Sequence, residues 1–466
     1  MIKHIYLYFI AALLLCLSAC ADQPTAPAKD TTPSLADDVK AETLRAWQAY
    51  LDYAWPHDNL LPLSKGYRDW YEKPLGISPI DAYSTLKVMG ADEKAEQILR
   101  YVVDSSDFNV DMNVKVFEVN IRVLGGLLAM YEWSGDPAVL AKAEDFGKRL
   151  MPAFDTPTGM PTYSVNLQTG AISGDVICVA EAGSYLIEFG MLSYYTEDPS
   201  FYQAAKKSSL AIHARRSALG LLGRNIDVQT GEWTVRLARI GCYVDSHYEY
   251  LYKAWELFGD TEIKAAWEEE IAAVMKYYPE RIDDATWYGE LNMDTGEKVS
   301  SEIMLWDAYF PAILTMSGKL EEAKLAQNAW HQYWTKFQAV GFGYNYSADT
   351  LTNPYWQLNP EIIESNFYLW EATGDSMYYK RAETYYADMK SRCRTDVAYA
   401  HLKDIRTGEQ DDEMATFFIA ETMKYFYLTF GGNPDVTSQT HVFNTEAHPF
   451  AKASVDKAFA KTRLGF

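Results

Sequence analysis

The chain has 466 residues, enough for one large domain or a few smaller ones, and 48% of them are hydrophobic, which is ample for a core. A net charge of −22 excludes nucleic acid and anionic lipid surfaces as electrostatic partners. The 34 Tyr and 13 Trp are an aromatic excess, but packing between large helices accounts for it more simply than sugar stacking, so composition alone does not point to a carbohydrate.

The first residues read as a targeting segment. Lys3 supplies a short positive region, and Ile5 to Leu17 is an apolar stretch too short to span a bilayer comfortably. Leu17-Ser18-Ala19-Cys20 then resembles the bacterial lipoprotein cleavage box. Residues 1–19 are thus expected to be a signal peptide, with Cys20 the lipidated first residue of the mature protein. Acyl chains there would anchor it in the bacterial cell envelope, at the outer membrane or the periplasmic face. Residues 20–38, rich in Pro, Thr, Ala and Asp, read as a flexible tether. Cys178, Cys242 and Cys393 show no metal-ligand spacing, and three cysteines cannot all pair, so they are expected as buried free thiols.

From Val39 to the end the pattern is that of one helical domain, 39–466, with apolar residues at three- and four-residue spacing. Small turns interrupt it at Met89-Gly90-Ala91, Ser134-Gly135-Asp136, Thr196-Glu197-Asp198, Phe258-Gly259-Asp260, Ser317-Gly318-Lys319, Thr373-Gly374-Asp375 and Phe430-Gly431-Gly432. Gly suits a helix C-terminus and Asp the next N-terminus. After the first interval these turns recur every 60 residues or so, which implies seven helical hairpins in an open solenoid or a closed ring. Tips such as Asn166-Leu167-Gln168-Thr169-Gly170, Asp227-Val228-Gln229-Thr230-Gly231, Asn292-Met293-Asp294-Thr295-Gly296 and Ile405-Arg406-Thr407-Gly408 predict small β-hairpins in the connecting loops.

Several carboxylates stand out, each with an ordinary structural explanation. Glu118 lies among apolar residues but also sits four before Arg122, as a surface ion pair would. Asp245 precedes Ser246-His247-Tyr248-Glu249, which has the form of a capping box. Glu361 follows Asn359 and Pro360, a good cap and a good first helical residue, and Glu364 stacks one turn later. Two carboxylates so placed repel unless a cation or proton lies between them.

Taken with Val442-Phe443-Asn444-Thr445-Glu446-Ala447-His448-Pro449, the segments Phe117–Arg122, Val244–Tyr250 and Asn359–Ser365 resemble glycoside hydrolase family 47, the inverting, calcium-dependent α-1,2-mannosidases. The resemblance runs from about residue 40 to 450. Leu61-Pro62-Leu63-Ser64, Ala308-Tyr309-Phe310-Pro311 and Leu402–Gly408 look closest to the ER degradation-enhancing α-mannosidase-like branch. The resemblance implies an all-α fold, an (α/α)7 barrel with short β-hairpins in its loops and a C-terminal segment plugging it. It implies action on α-mannoside glycans, with Ca2+ bound through the carbonyl and hydroxyl of Thr445; a monomer is expected, though the sequence leaves the oligomeric state open. Matching positions make Glu118 the general acid, Glu361 the general base and Asp245 the third essential carboxylate. Glu364 and Glu446 would hold waters around the metal, and Arg122, Phe367 and Glu421 would support substrate. Two departures stand out. Asn359 replaces the family's Arg, and Ala415 replaces an acidic residue, with Glu413 expected to face elsewhere on a helix. They leave a non-catalytic mannoside-binding lipoprotein as the alternative, and an α/α-toroid hydrolase or lyase for another sugar as a more distant one.

Overall fold

The computed structural model describes residues 34–466; the signal segment, Cys20 and the tether up to residue 33 fall outside that range. The first helix, Leu35–Tyr53, starts ahead of Val39, with Asp37 and Asp38 in its first turn, where they favour the positive helix end.

Helices run in pairs, an inner one buried on nearly every side and an outer one amphipathic. Ile77–Val88 pairs with Asp92–Ser105, and Asp245–Phe258 with Thr261–Tyr277. Glu361–Thr373 pairs with Ser376–Cys393. The inner Ile77–Val88 buries ten named side chains, whereas the outer Asp92–Ser105 buries only Ala95, Ile98 and Val102. That contrast is what a ring requires, since inner helices have core on one side and outer helices on the other. All seven turns read from the sequence hold a residue at positive φ, six of them Gly and the other Glu197. Inner helices approach closely: a Cβ on Gly126 would lie 2.5 Å from Ile80 Cγ2.

The ring is closed. Ile77–Val88 packs against the turn Phe418–Thr422, where Thr85 Oγ1 donates to the Ala420 carbonyl at 3.0 Å. Closure also corrects the seventh hairpin. The turn at Gly431 leads to no outer helix; the inner Met423–Thr429 packs instead against Leu35–Tyr53, from the other end of the chain. Lys390 binds Asp38 at 2.6 Å and Arg394 binds Glu42 at 2.9 Å, fastening that first helix to Ser376–Cys393.

The four expected tips form antiparallel hairpins. In three of them the leading Asn or Asp folds its side chain onto two following backbone N–H groups, as Asn166 Oδ1 does for Gln168 and Thr169, and at the fourth Asp404, just ahead of Ile405, accepts from the Arg406 N–H. These hairpins connect outer helices to inner ones, so they gather at the end where inner helices begin. From the opposite end comes the hairpin His441–Phe443 with Pro449–Ala451. Its turn enters the barrel, and Asn444, Glu446 and His448 are fully enclosed.

Candidate active site

Because inner helices begin at one end, their first turns converge there. Glu118 is the third residue of Val116–Val119, Asp245 opens its helix, and Glu361 opens another with Glu364 one turn on. All four line a cavity of about 810 Å³, together with Arg122, Glu421, Glu446 and Thr445. Two inner helices carry a π turn, Asn120–Leu124 and Phe418–Thr422, and these bear Arg122 and Glu421. Such bulges often occur at functional sites, because the extra residue re-aims a side chain.

Arg122 joins the two halves of the site. Its Nε meets Glu118 Oε2 at 3.1 Å, so the expected i,i+4 pair exists, but it faces the cavity rather than bulk solvent. Nη1 pairs with Glu446, lies 3.7 Å from Asp81 Oδ2 and donates to Thr416 Oγ1 at 3.2 Å. The guanidinium also packs over Trp70, 5.0 Å from the ring centroid. Burial opposes its charge, but Glu446, Glu118, Asp81 and Glu421 together overcome that and raise its pKa.

The capping box expected at Ser246 does not form. Val244 stands at the cap position without a side-chain bond. The Ser246 hydroxyl meets Ser184 Oγ at 2.7 Å, and Glu249 turns away to Lys253. Asp245 Oδ1 accepts from the Ser246 N–H at 2.8 Å. Nor does Asn359 cap its helix. Its amide nitrogen lies 3.4 Å from Glu361 Oε1, while Glu361 Oε2 is buried without a hydrogen-bond partner among the described residues. Glu413 corrects a further expectation. It lies not on a helix but in an extended run where residues two apart share a face, so it lines the same cavity as Ala415. There it binds Arg68 and accepts from Asn59 Nδ2 at 2.6 Å.

The floor is the hairpin tip. Asn444 organises it, accepting from the N–H groups of Glu446 at 3.0 Å and His448 at 2.7 Å. Its own amide donates to the Ile121 carbonyl at 3.1 Å and Glu188 Oε1 at 2.7 Å. Thr445 N–H donates to Tyr250 at 3.3 Å, which leaves the threonine facing the cavity. Lys424, fully buried, donates to the Ala447 carbonyl at the end of the turn. Phe367 stands apart from the other expected residues. It is enclosed beneath the cavity, 5.5 Å from Tyr425 and 6.2 Å from Phe443 of the plug, and supports the floor by packing.

The cavity is rich in oxygen and short of positive charge. Burial, then Glu364 and Asp245, push Glu361 up to about 8. Burial, then Glu249 and Asp307, push Asp245 up to about 7. Glu364 is likewise raised by burial to about 7, against the pull of Lys253. Glu421 and Glu446 are raised well above the carboxylate range, again by burial first. Among the described residues no three His, Cys, Asp or Glu side chains converge as direct metal ligands. The donors present, the carbonyl and hydroxyl of Thr445 with carboxylates beyond, fit a hard cation that keeps part of its water shell.

Sequence reasoning missed Trp70, Tyr71, Tyr243 and Trp306, which all line the cavity. Trp70 and Tyr71 were visible as an aromatic pair in the polar loop before Leu75. Tyr243 and Trp306 carried no local signal beyond lying just ahead of inner helices.

The model of "Glycosyl hydrolase family 47" matches residues 42–452. Alpha-mannosidase I MNS4 of Arabidopsis thaliana is 35% identical over 445 residues, spanning 90% of this chain and 70% of the relative. ER degradation-enhancing alpha-mannosidase-like protein 2 of Homo sapiens is 33% identical, with 90% and 77% covered. In structure, the chain resembles the alpha-1,2-mannosidase from Trichoderma reesei with a TM-score of 0.83 at 27% identity, covering 90% of this chain and 99% of the other. The chain folds as the (α/α)7 barrel of these enzymes and belongs to glycoside hydrolase family 47.

Proposed function

We propose that the protein is a calcium-dependent exo-α-1,2-mannosidase that cleaves terminal mannose with inversion. One observation carries the reading: a cavity open at the hairpin end is closed at its floor by the tip bearing Thr445, with Glu118, Asp245 and Glu361 on its walls. A blind cavity admits a chain end and not a chain middle. Names among the relatives agree, including a mannosyl-oligosaccharide 1,2-alpha-mannosidase of Arabidopsis thaliana that is 33% identical.

Glu361 takes a proton from the attacking water through Oε2, the oxygen left without a hydrogen-bond partner among the described residues. The water oxygen bonds to the anomeric carbon as the glycosidic C–O bond breaks, and Glu118 protonates the departing oxygen, through a water. Asp245 keeps a third carboxylate beside the anomeric centre. Arg122 holds Glu118 and Glu446 in place from between them. Thr445 would hold calcium, with Glu364, Glu421 and Glu446 orienting its waters. Bound there, the ion would supply Lewis-acid orientation of sugar hydroxyls and lower the pKa of the carboxylates around it.

Ala415 and Asn359 support a second reading, a mannoside-binding protein without catalysis, because both line the cavity where the family carries charged side chains. Incubation with the methyl glycoside of α-1,2-mannobiose, whose leaving sugar cannot open and so adds no free mannose, with calcium and with EDTA, separates the two when the released anomer is followed by NMR. Calcium-dependent appearance of β-mannose supports the enzyme. Binding by calorimetry without release supports the second reading, and release of α-mannose refutes inversion. We also propose a lipid anchor at Cys20 in the cell envelope; Cys20→Ser should shift the protein from the membrane fraction to the soluble one.

A further inference from the structure

Tyr243 holds a backbone conformation that a bulky residue rarely adopts. Its φ is 81°, in the left-handed region. It is the third residue of a tight turn closed by the Val244 N–H donating to the Gly241 carbonyl at 2.8 Å. Turns with positive φ at this position ordinarily take glycine. Strain of this kind persists only where the surroundings enforce it, and it gathers at binding and catalytic sites. Here the surroundings do enforce it. The Tyr243 carbonyl accepts from the Ala180 N–H at 2.9 Å, and Asp245 begins its helix two residues later.

The side chain so placed is not buried for packing. Tyr243 lines the cavity yet is 38% exposed, which puts it towards the mouth, away from the enclosed tip at Thr445. Arg224 lies over its ring, 4.8 Å from the centroid, and braces it from one side. A braced aromatic ring bordering a polar cavity is a surface on which the C–H face of a pyranose can stack. In a blind cavity the terminal sugar occupies the floor, so a ring near the mouth meets the next sugar out.

We propose that Tyr243 is the platform for the sugar on the leaving-group side of the scissile bond, and so a specificity-determining residue. This rests on the mannosidase reading. The test compares wild type, Tyr243→Gly and Tyr243→Phe on α-1,2-mannobiose and on α-mannosyl fluoride, which has no leaving-side sugar. Glycine suits the turn, so the first variant should fold. Its kcat/KM on mannobiose relative to that on the fluoride should fall about tenfold, the size expected for losing one stacking surface. Tyr243→Phe should restore the ratio. An unchanged ratio in Tyr243→Gly, including an equal fall on both substrates, overturns the proposal. If wild type cleaves neither substrate, the mannosidase reading fails, and calorimetry with mannobiose decides the platform separately. Weaker binding by Tyr243→Gly upholds it, and equal binding overturns it.

Discussion

Gly125 is the residue against which the hairpin tip is seated, so Gly125→Ala tests whether the plug sets the site. A Cβ there would lie 2.7 Å from Asn444 Nδ2, 3.1 Å from His448 Cδ2 and 3.6 Å from Glu188 Cγ. The first two distances are too short, and neither neighbour is free to move. Asn444 makes the four hydrogen bonds that shape the turn, and His448 is fully enclosed. Losing two of those bonds costs about 2 kcal/mol, at about 1 kcal/mol each. Overpacking adds about 1–2 kcal/mol, and the better helix propensity of alanine returns about 1 kcal/mol. The net expectation is a loss of about 2–3 kcal/mol in urea denaturation. Because Thr445 follows Asn444 directly, calcium affinity measured by calorimetry should also fall by about tenfold, as when a supporting residue of a metal site is lost. Stability within about 0.5 kcal/mol of wild type, with calcium affinity intact, would refute the idea that this contact seats the tip.

Three further outcomes are expected. Calcium at a hundred times its Kd should stabilise the protein by about 2.7 kcal/mol; identical thermal midpoints in calcium and EDTA would count against the metal. Glu118→Gln and Glu361→Gln should each lower kcat on mannobiose by about 10²-fold or more while circular dichroism stays unchanged, and near-wild-type turnover in either removes that residue from the mechanism. Glu270 is buried between His213 at 2.8 Å and His247 at 3.1 Å, and although burial opposes its charge, these partners hold its pKa at about 2, below the ordinary 4.5. The unfolded chain therefore takes up this proton first, so the stabilisation is full above pH 4.5 and drains as pH falls towards 2. Glu270→Gln should cost about 3 kcal/mol at neutral pH and flatten that acid limb; an unchanged acid limb would contradict the assignment.

The helix ends and hairpin tips were legible because each depends on a few adjacent residues. Gly at positive φ, or Asn and Asp folding onto the next N–H groups, leaves a local trace. The carboxylates were legible only through the family resemblance, since first-turn acids have an ordinary role at helix N-termini. What escaped was non-local or a matter of backbone register. No pattern near Gly431 announces that the last inner helix takes its outer partner from residues 35–53. The π turn at Phe418–Thr422 shifts Glu421 by one residue relative to a regular helix. The extended backbone at Glu413 puts it beside Ala415, where helical spacing would have separated them.

The way the barrel is closed bears on how the molecule is made. Asp38 and Lys390 are 352 positions apart in the chain, as are Glu42 and Arg394. Trp47 and Tyr50 can pack at once on Trp55, but until the last inner helix is in place Leu35–Tyr53 lacks Met423–Thr429, against which it packs in the finished barrel. Contacts so distant in sequence form slowly, and apolar surface left waiting is prone to aggregate. The tip bearing Thr445 is translated later still, after every wall it must enter. An intermediate without that tip can therefore hold most of the acidic walls but not the floor, so catalysis waits for the tip to enter the barrel.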